Sequence, residues 1–177
     1  MSVFLDIVIV VDTLGLLRSV PAPSLDPDDP TLLPSDQRQG FCLALTRDGG
    51  GGSGRIDLTA PRGSSPLLVW RSLSLSGNGD QSAILYDVDP VGLGRPAAAR
   101  LDTIIVPLPV LDGDAQTSPP SFTAVQTPSY VLVDPAPRRR QRHAVRFYVA
   151  AEAETEAPPP VLGYFEWAPV VCLSWTG

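Results

Sequence analysis

Apolar and polar positions alternate with a period of two along most of the chain, the signature of half-buried strands. The first run, Val3–Val11, sets Leu5, Ile7, Ile9 and Val11 against Phe4, Asp6, Val8 and Val10. Both sides are mostly apolar, which suits a central strand. Similar runs follow at Phe41–Thr46, Arg55–Thr59, Leu67–Leu75, Ser82–Val88, Leu101–Val106, Tyr130–Val133, Ala144–Ala151, Leu162–Trp167 and Val170–Trp175. Between them lie connectors rich in Pro, Gly and Asp, among them Pro21–Pro34, Asp48–Gly54, Asp112–Pro120, Pro135–Arg142 and Pro158–Pro160. Proline cannot donate to a ladder, so these prolines mark strand ends or sheet edges. No stretch holds a helical period over eleven residues. Ala150–Ala157 contains helix formers, but it alternates with period two and runs into three prolines, so it reads as an exposed edge strand or hairpin arm. Nine or ten short strands predict an all-β fold, a two-sheet antiparallel β-sandwich of jelly-roll type with Pro/Gly-rich loops. No repeat or composition break divides the chain, and residues 1–177 read as one domain.

Composition narrows the picture. At 177 residues, with 44% hydrophobic and 18% charged positions, the chain can bury about 70% of its surface without metal or disulfide staples. Twenty prolines and fifteen glycines exclude a mainly helical protein. A formal charge of −6 lacks the positive field that draws a phosphate backbone, so nucleic acid is not an expected partner. All thirteen basic residues are Arg, five of them (Arg138, Arg139, Arg140, Arg142, Arg146) crowded around the single histidine, His143. That run reads as a solvated loop leading into a strand. The N-terminal run has no basic leader and carries Asp6, so it is expected to be a strand and not a secretory signal, which places the chain in the cytoplasm. No apolar run is long enough for a membrane span. Cys42 and Cys172 sit among apolar neighbours and are expected to be inert free thiols. Two cysteines and one histidine do not fill a zinc site, and no metal or other cofactor is expected.

The catalytic inventory is thin. A serine triad would need His143, and nothing acidic adjoins it; the Arg cluster is expected to keep its imidazole neutral. There is no Gly-x-Ser-x-Gly elbow, and without Lys there is no phosphate-binding Walker loop. Gly49–Gly54 matches a dinucleotide fingerprint only as a glycine run, because a strand follows it; a flexible hairpin loop is the better reading. Asp26, Asp28 and Asp29, like Asp112 and Asp114, lack the spacing of a calcium loop and read as turn formers beside proline and glycine. The most informative segment is Leu67–Tyr86, where two alternating runs flank Ser76-Gly-Asn-Gly-Asp-Gln81, a hairpin signal. Trp70 shares a face with Ser72, Ser74 and Ser76, and Asn78 and Asp80 stand at the strand end. An indole beside amide and carboxylate groups is what a sugar site uses, the ring packing on C–H groups while the polar groups bond hydroxyls. The competing role for Trp70 is to fill the core.

Four segments in order along the chain resemble the AidA/PixA-type bacterial inclusion-body protein family. They are Leu5-Asp-Ile-Val-Ile-Val-Val-Asp-Thr13, Ala22-Pro-Ser-Leu-Asp-Pro-Asp-Asp-Pro-Thr31, Trp70-Arg71 with Ser76-Gly-Asn-Gly-Asp80 and Ala83-Ile-Leu-Tyr86, and Gly163-Tyr-Phe-Glu-Trp-Ala-Pro169. Leu14 and Ala168 depart from the pattern, each standing where the family usually has an acidic residue. The resemblance implies a non-catalytic β-sandwich made in the cytoplasm of quorum-regulated, host-associated bacteria. It also implies self-association into inclusions, with some members similar to glycan-binding lectins. The expected function is therefore lectin-like, with a glycan as partner and a homo-oligomeric state. Trp70 is the stacking platform and Asn78 with Asp80 the hydroxyl-bonding groups. Tyr164 and Trp167 form a second aromatic cluster, and Asp12 is a weaker candidate for the first pocket. The alternative is a self-assembling cytoplasmic inclusion or storage protein with no small ligand.

Overall fold

The structure, a computed structural model, describes residues 1–34, 40–47, 49–75, 81–92, 98–110, 121–133, 140–151 and 159–176, with the backbone alone for 98–110 and 121–133. Two sheets pack face to face. In the first, β1 (Ser2–Val11) lies between β3 (Cys42–Thr46), antiparallel to it, and β5 (Ser65–Ser74), parallel to it. β8 (Ser121–Val133) and β7 (Ala98–Val110) extend the sheet past β5. The second sheet is built on β9 (Arg140–Ala151). One edge of β9 takes β6 (Gln81–Pro90); the other takes β10 (Val161–Trp167) and then β11 (Val170–Thr176). β2 (Thr31–Leu32) pairs with β10 and β4 (Arg55–Pro61) with β11. Pro169, at the join of β10 and β11, has no amide to donate, but its carbonyl accepts from His143 N at 3.0 Å, so the ladder bridges the break.

Each of the ten alternating runs is a strand, with the two-residue β2 added, and the sandwich stands; of the arm expected at Ala150–Ala157, Ala150 and Ala151 end the central strand β9 with Ala150 buried, and the rest lies outside the described residues. The sheets are mixed and not purely antiparallel: β1–β5, β2–β10 and β4–β11 are parallel pairs. Parallel neighbours require a crossover through other elements, and a period-two pattern carries no trace of it. β7 and β8 run longer than expected despite Pro107, Pro109 and Pro128. β7 is an edge strand, and only 130–133 of β8 pair with β5, so these prolines interrupt no ladder on their free side.

One element was not expected at all, the helix α1 (Thr13–Ser19). Asp12 accepts from Gly15 N at 2.9 Å as its N-cap, and Leu16 plugs into the core. At seven residues it is too short to show a helical period.

The glycine run is a packed connection and not a flexible hairpin. Ala44 N donates to Gly52 O at 3.0 Å and Asp57 N to Gly50 O at 2.7 Å, which ties β3 in one sheet to β4 in the other. A Cβ on Gly50 would stand 2.0 Å from Asp57 O, and one on Gly51 2.0 Å from Ala44 O. Only glycine allows that approach.

The core lies between the inward residues of the two sheets. Ile7, Ile9 and Val11 of β1 face Phe147, Val149 and Phe165 of β9 and β10, and Phe147 stacks on Phe165 at 5.6 Å. On β5 the inward set is Trp70, Ser72 and Ser74, while Leu73 and Leu75 point outward. Ser72 Oγ donates to Ala83 O at 2.7 Å and accepts from Leu85 N at 3.2 Å, so the buried hydroxyl is satisfied and pins β5 to β6 across the corner of the sandwich.

Candidate functional site

The expected sugar platform is not at the surface. Trp70 is 0% exposed, its ring 5.4 Å from that of His143, so it fills the core and no ligand ring can stack on it in this fold. The sequence pattern assigned its face correctly as the one shared with the serines; what it could not say was that this face points inward. Asn78 and Asp80 lie outside the described residues. Asp12 is committed to the cap of α1. Trp167 is buried and donates its indole N–H to Ser53 O at 3.1 Å.

His143 is also buried, and for a different reason from the one its neighbours indicated. On β9 the exposed Arg140 and Arg142 and the half-buried Arg146 fall on the outward face, while His143 points into the core. Burial pushes its pKa down to about 4, so desolvation and not the Arg cluster keeps the ring neutral. Among the described residues Trp70 Nε1 has no hydrogen-bond partner, and the backbone of Gln141 is the one group that favours the charged form of the His143 ring. Cys42 is buried and its thiol pKa is raised by desolvation; both cysteines are free.

Tyr164 is the expected site residue that reaches the outside of the sandwich among those described. It faces Tyr148 directly across the β9–β10 pair. On the other side of β9 a bulge between Leu85 and Asp87 breaks the register of β6. The bulge gives β6 one extra residue, so Tyr86 and Asp87 both turn outward while Leu85 and Val88 stay in the core. Three tyrosines from three strands thereby meet: Tyr86 and Tyr164 edge to face at 5.5 Å, Tyr148 and Tyr164 at 5.7 Å, Tyr86 and Tyr148 at 6.4 Å. All three are half-buried.

Next to the rings Arg146 gathers the charge. Its Nε donates to Glu166 Oε2 at 2.8 Å, its Nη1 donates to Asp87, and Asp89 lies 3.5 Å away. The loop before β2 forms the rim. Tyr164 N donates to Ser24 O at 2.8 Å, and Tyr86 Oη donates to Pro27 O at 2.9 Å. Partial burial raises the Tyr86 hydroxyl to about 12 and pushes that of Tyr148 up as well, so both stay protonated donors at neutral pH. Among the described residues the hydroxyls of Tyr148 and Tyr164 take no partner. Within the loop Asp28 N bonds Asp26 Oδ1 at 2.9 Å, an Asx turn as the sequence indicated, and no group of metal-binding side chains occurs among the described residues. A separate cleft of about 350 Å³ lies where β1, β3 and β4 meet, lined by Phe4, Asp6, Arg47 and Thr59 among others; it shares no residue with the tyrosine face.

Comparison with curated protein sequences gives no match. Among solved structures the chain is similar to the crystal structure of an inclusion body protein of the PixA type from Burkholderia cenocepacia J2315. The two are 20% identical with a TM-score of 0.66, over 98% of this chain and 97% of that one. At that identity the likeness speaks for the fold. The family itself is fixed by sequence: the model described as "Inclusion body protein" matches residues 3–172, which take in all four segments that carried the resemblance. With the match running nearly end to end and the sandwich shared, the chain belongs to the PixA family of inclusion body proteins.

Proposed function

We propose that this protein binds carbohydrate without transforming it, at the tyrosine face of the second sheet. The observation that carries the reading is the convergence of Tyr86, Tyr148 and Tyr164 beside the Arg146–Asp87–Glu166 network. Aromatic faces accept the C–H side of a pyranose, while tyrosine hydroxyls, carboxylates and a guanidinium exchange hydrogen bonds with its hydroxyls. One guanidinium already orients both carboxylates, so a ligand would meet acceptors held in place. The sugar site expected around Trp70 thus moves to the cluster that Tyr164 anchors. A glycan array with Tyr148→Ala and Tyr164→Ala beside the parent chain tests this. Selective binding that both substitutions abolish, and that Trp70→Phe leaves intact, is the expected result; binding that survives both tyrosine changes overturns the site.

A second reading is favoured by the family description, "Inclusion body protein": a chain that self-assembles into cytoplasmic inclusions or stores material there, without a small-molecule ligand. Its support in the chain is the set of large apolar side chains left at the surface, Phe4, Leu43, Leu45 and Leu75 among them.

A further inference from the structure

The far end of the second sheet's outer face carries the opposite charge from the tyrosine end. Along the start of β9 Arg140 and Arg142 are exposed and point outward, while Gln141 and His143 point inward. The register carries that face across β11 to β4. Arg142 stands beside Val170 and Val170 beside Arg55; Arg140 stands beside Cys172 and Cys172 beside Asp57. β11 and β4 alternate in the same phase, with Val170 and Cys172 half-buried and Arg55 and Asp57 exposed. The result is a trough with short side chains for a floor and a guanidinium on each wall. Among the described residues Arg55, Arg140 and Arg142 meet a single carboxylate there, Asp57, in a chain whose formal charge is −6. Arg55 takes that carboxylate, donating from Nε at 3.0 Å and from Nη2 at 2.8 Å. The side chains of Arg140 and Arg142 take no partner among the described residues.

We propose that this trough binds a sulfate or phosphate monoester, with the tetrahedral oxyanion bridging Arg140 and Arg142. Same-face neighbours on one strand are rooted about 7 Å apart, so two guanidinium forks can reach one oxyanion from adjacent sides. Neither fork has to leave a carboxylate, so the anion displaces water and breaks no ion pair. Arg55 is rooted about 10 Å from Arg142, across two strands. Its Nε and Nη2 serve Asp57, which fixes the plane of the guanidinium and leaves Nη1 for the same anion. The open side of the anion has room for its carrier. Beyond Cys172 the trough runs on to Ser174 and Thr59, whose hydroxyls lie 3.1 Å apart. That polar strip suits a hydroxylated carrier such as a sugar. The net negative charge of the chain repels a long polyanion and selects a ligand whose charge sits on one group. The site goes beyond the tyrosine face and does not rest on it: six residues of β9, about 20 Å, separate Arg142 from Tyr148.

Titration calorimetry of the full chain with glucose 6-sulfate, glucose 6-phosphate and glucose tests the proposal, with far-UV circular dichroism confirming the fold of each variant. The thiol on the floor locates the ligand, because Cys172 is half-buried while Cys42 lies in the core. Alkylation of Cys172 by iodoacetamide, followed by mass spectrometry, is expected to slow when an ester is bound. At least one ester should bind and glucose should not, and the tighter ester identifies the preferred oxyanion. Arg140→Ala and Arg142→Ala should each weaken that ester about 10-fold, the loss of a charge-assisted contact, and together they should abolish both binding and protection. Arg18→Ala, at an exposed arginine on α1, is the control and should bind as the parent does. Absence of binding by both esters overturns the proposal, as does glucose binding equally well. Ester binding that survives the double arginine variant, or that leaves Cys172 unprotected, shows that the anion sits elsewhere and overturns the site.

Discussion

A neutral histidine in the middle of a sandwich couples stability to pH. His143 is 1% exposed and its pKa is down at about 4, against 6.5 for a free imidazole. Above pH 6.5 neither the folded nor the unfolded chain holds the extra proton, and the stability is complete. As pH falls below 6.5 the unfolded chain takes up a proton that the folded chain refuses, so stability declines until the buried ring itself protonates near 4. The whole interval is a loss on the order of 3 kcal/mol. His143→Phe should remove this part of the acid sensitivity. It should cost little at neutral pH, because the replacement keeps a ring of similar size against Trp70 and removes buried polar atoms. Denaturant unfolding at about pH 7 and about pH 5 for both chains gives the difference directly. Equal pH slopes for parent and variant would show that the carboxylates, and not His143, govern acid unfolding. Single residues were the least legible part of this sequence. The pattern placed Trp70 and the serines on one face but could not give the sign of that face, since a buried serine looks polar until its partners, here the backbone of Ala83 and Leu85, are known.

Elements were read more successfully, and the failures share a cause. All ten alternating runs became strands because period two needs only local information. The parallel pairings, the bulge that turns Tyr86 outward and the two-turn helix depend on distant partners or on too few residues to register. Tyr164 could be singled out from its aromatic neighbourhood in the sequence; Tyr86 and Tyr148 join it only through the β6–β9–β10 register. The glycine connection shows the same limit, because low complexity looked like flexibility. Its packing yields a prediction at this scale. Gly50→Ala or Gly51→Ala must push the β3 and β4 backbones apart, since the obstructing atoms are carbonyl oxygens and not side-chain ends. Either change should cost about 2 kcal/mol or more, a fall in melting temperature of about 5 °C. Gly40→Ala, with nothing within 4 Å of the added carbon, is the control and should melt with the parent. Melting of the Gly50 or Gly51 variant alongside that control would mean the connection yields freely.

The two outer faces give the molecule a polarity that neither sheet has alone. Over β1, β3 and β5 one carries exposed leucines with the Asp6–Arg71 pair and Arg47 among them; the other carries tyrosines and a carboxylate-rich network around Arg146. Self-association through the exposed leucines would leave the tyrosine face of each copy free, and linked sites gain avidity without any new contact. Charge opposes the joining. Each chain carries −6, and the repulsion between copies acts over about 10 Å at 0.1 M salt. Raising salt from about 20 mM to about 200 mM at neutral pH should therefore strengthen association, by screening the net repulsion while leaving the apolar contact intact. Sedimentation at the two salt concentrations measures the change. Association that weakens with salt would mean that exposed ion pairs between chains hold the copies together, and the contact would then be sought on the Arg146 face rather than among the leucines.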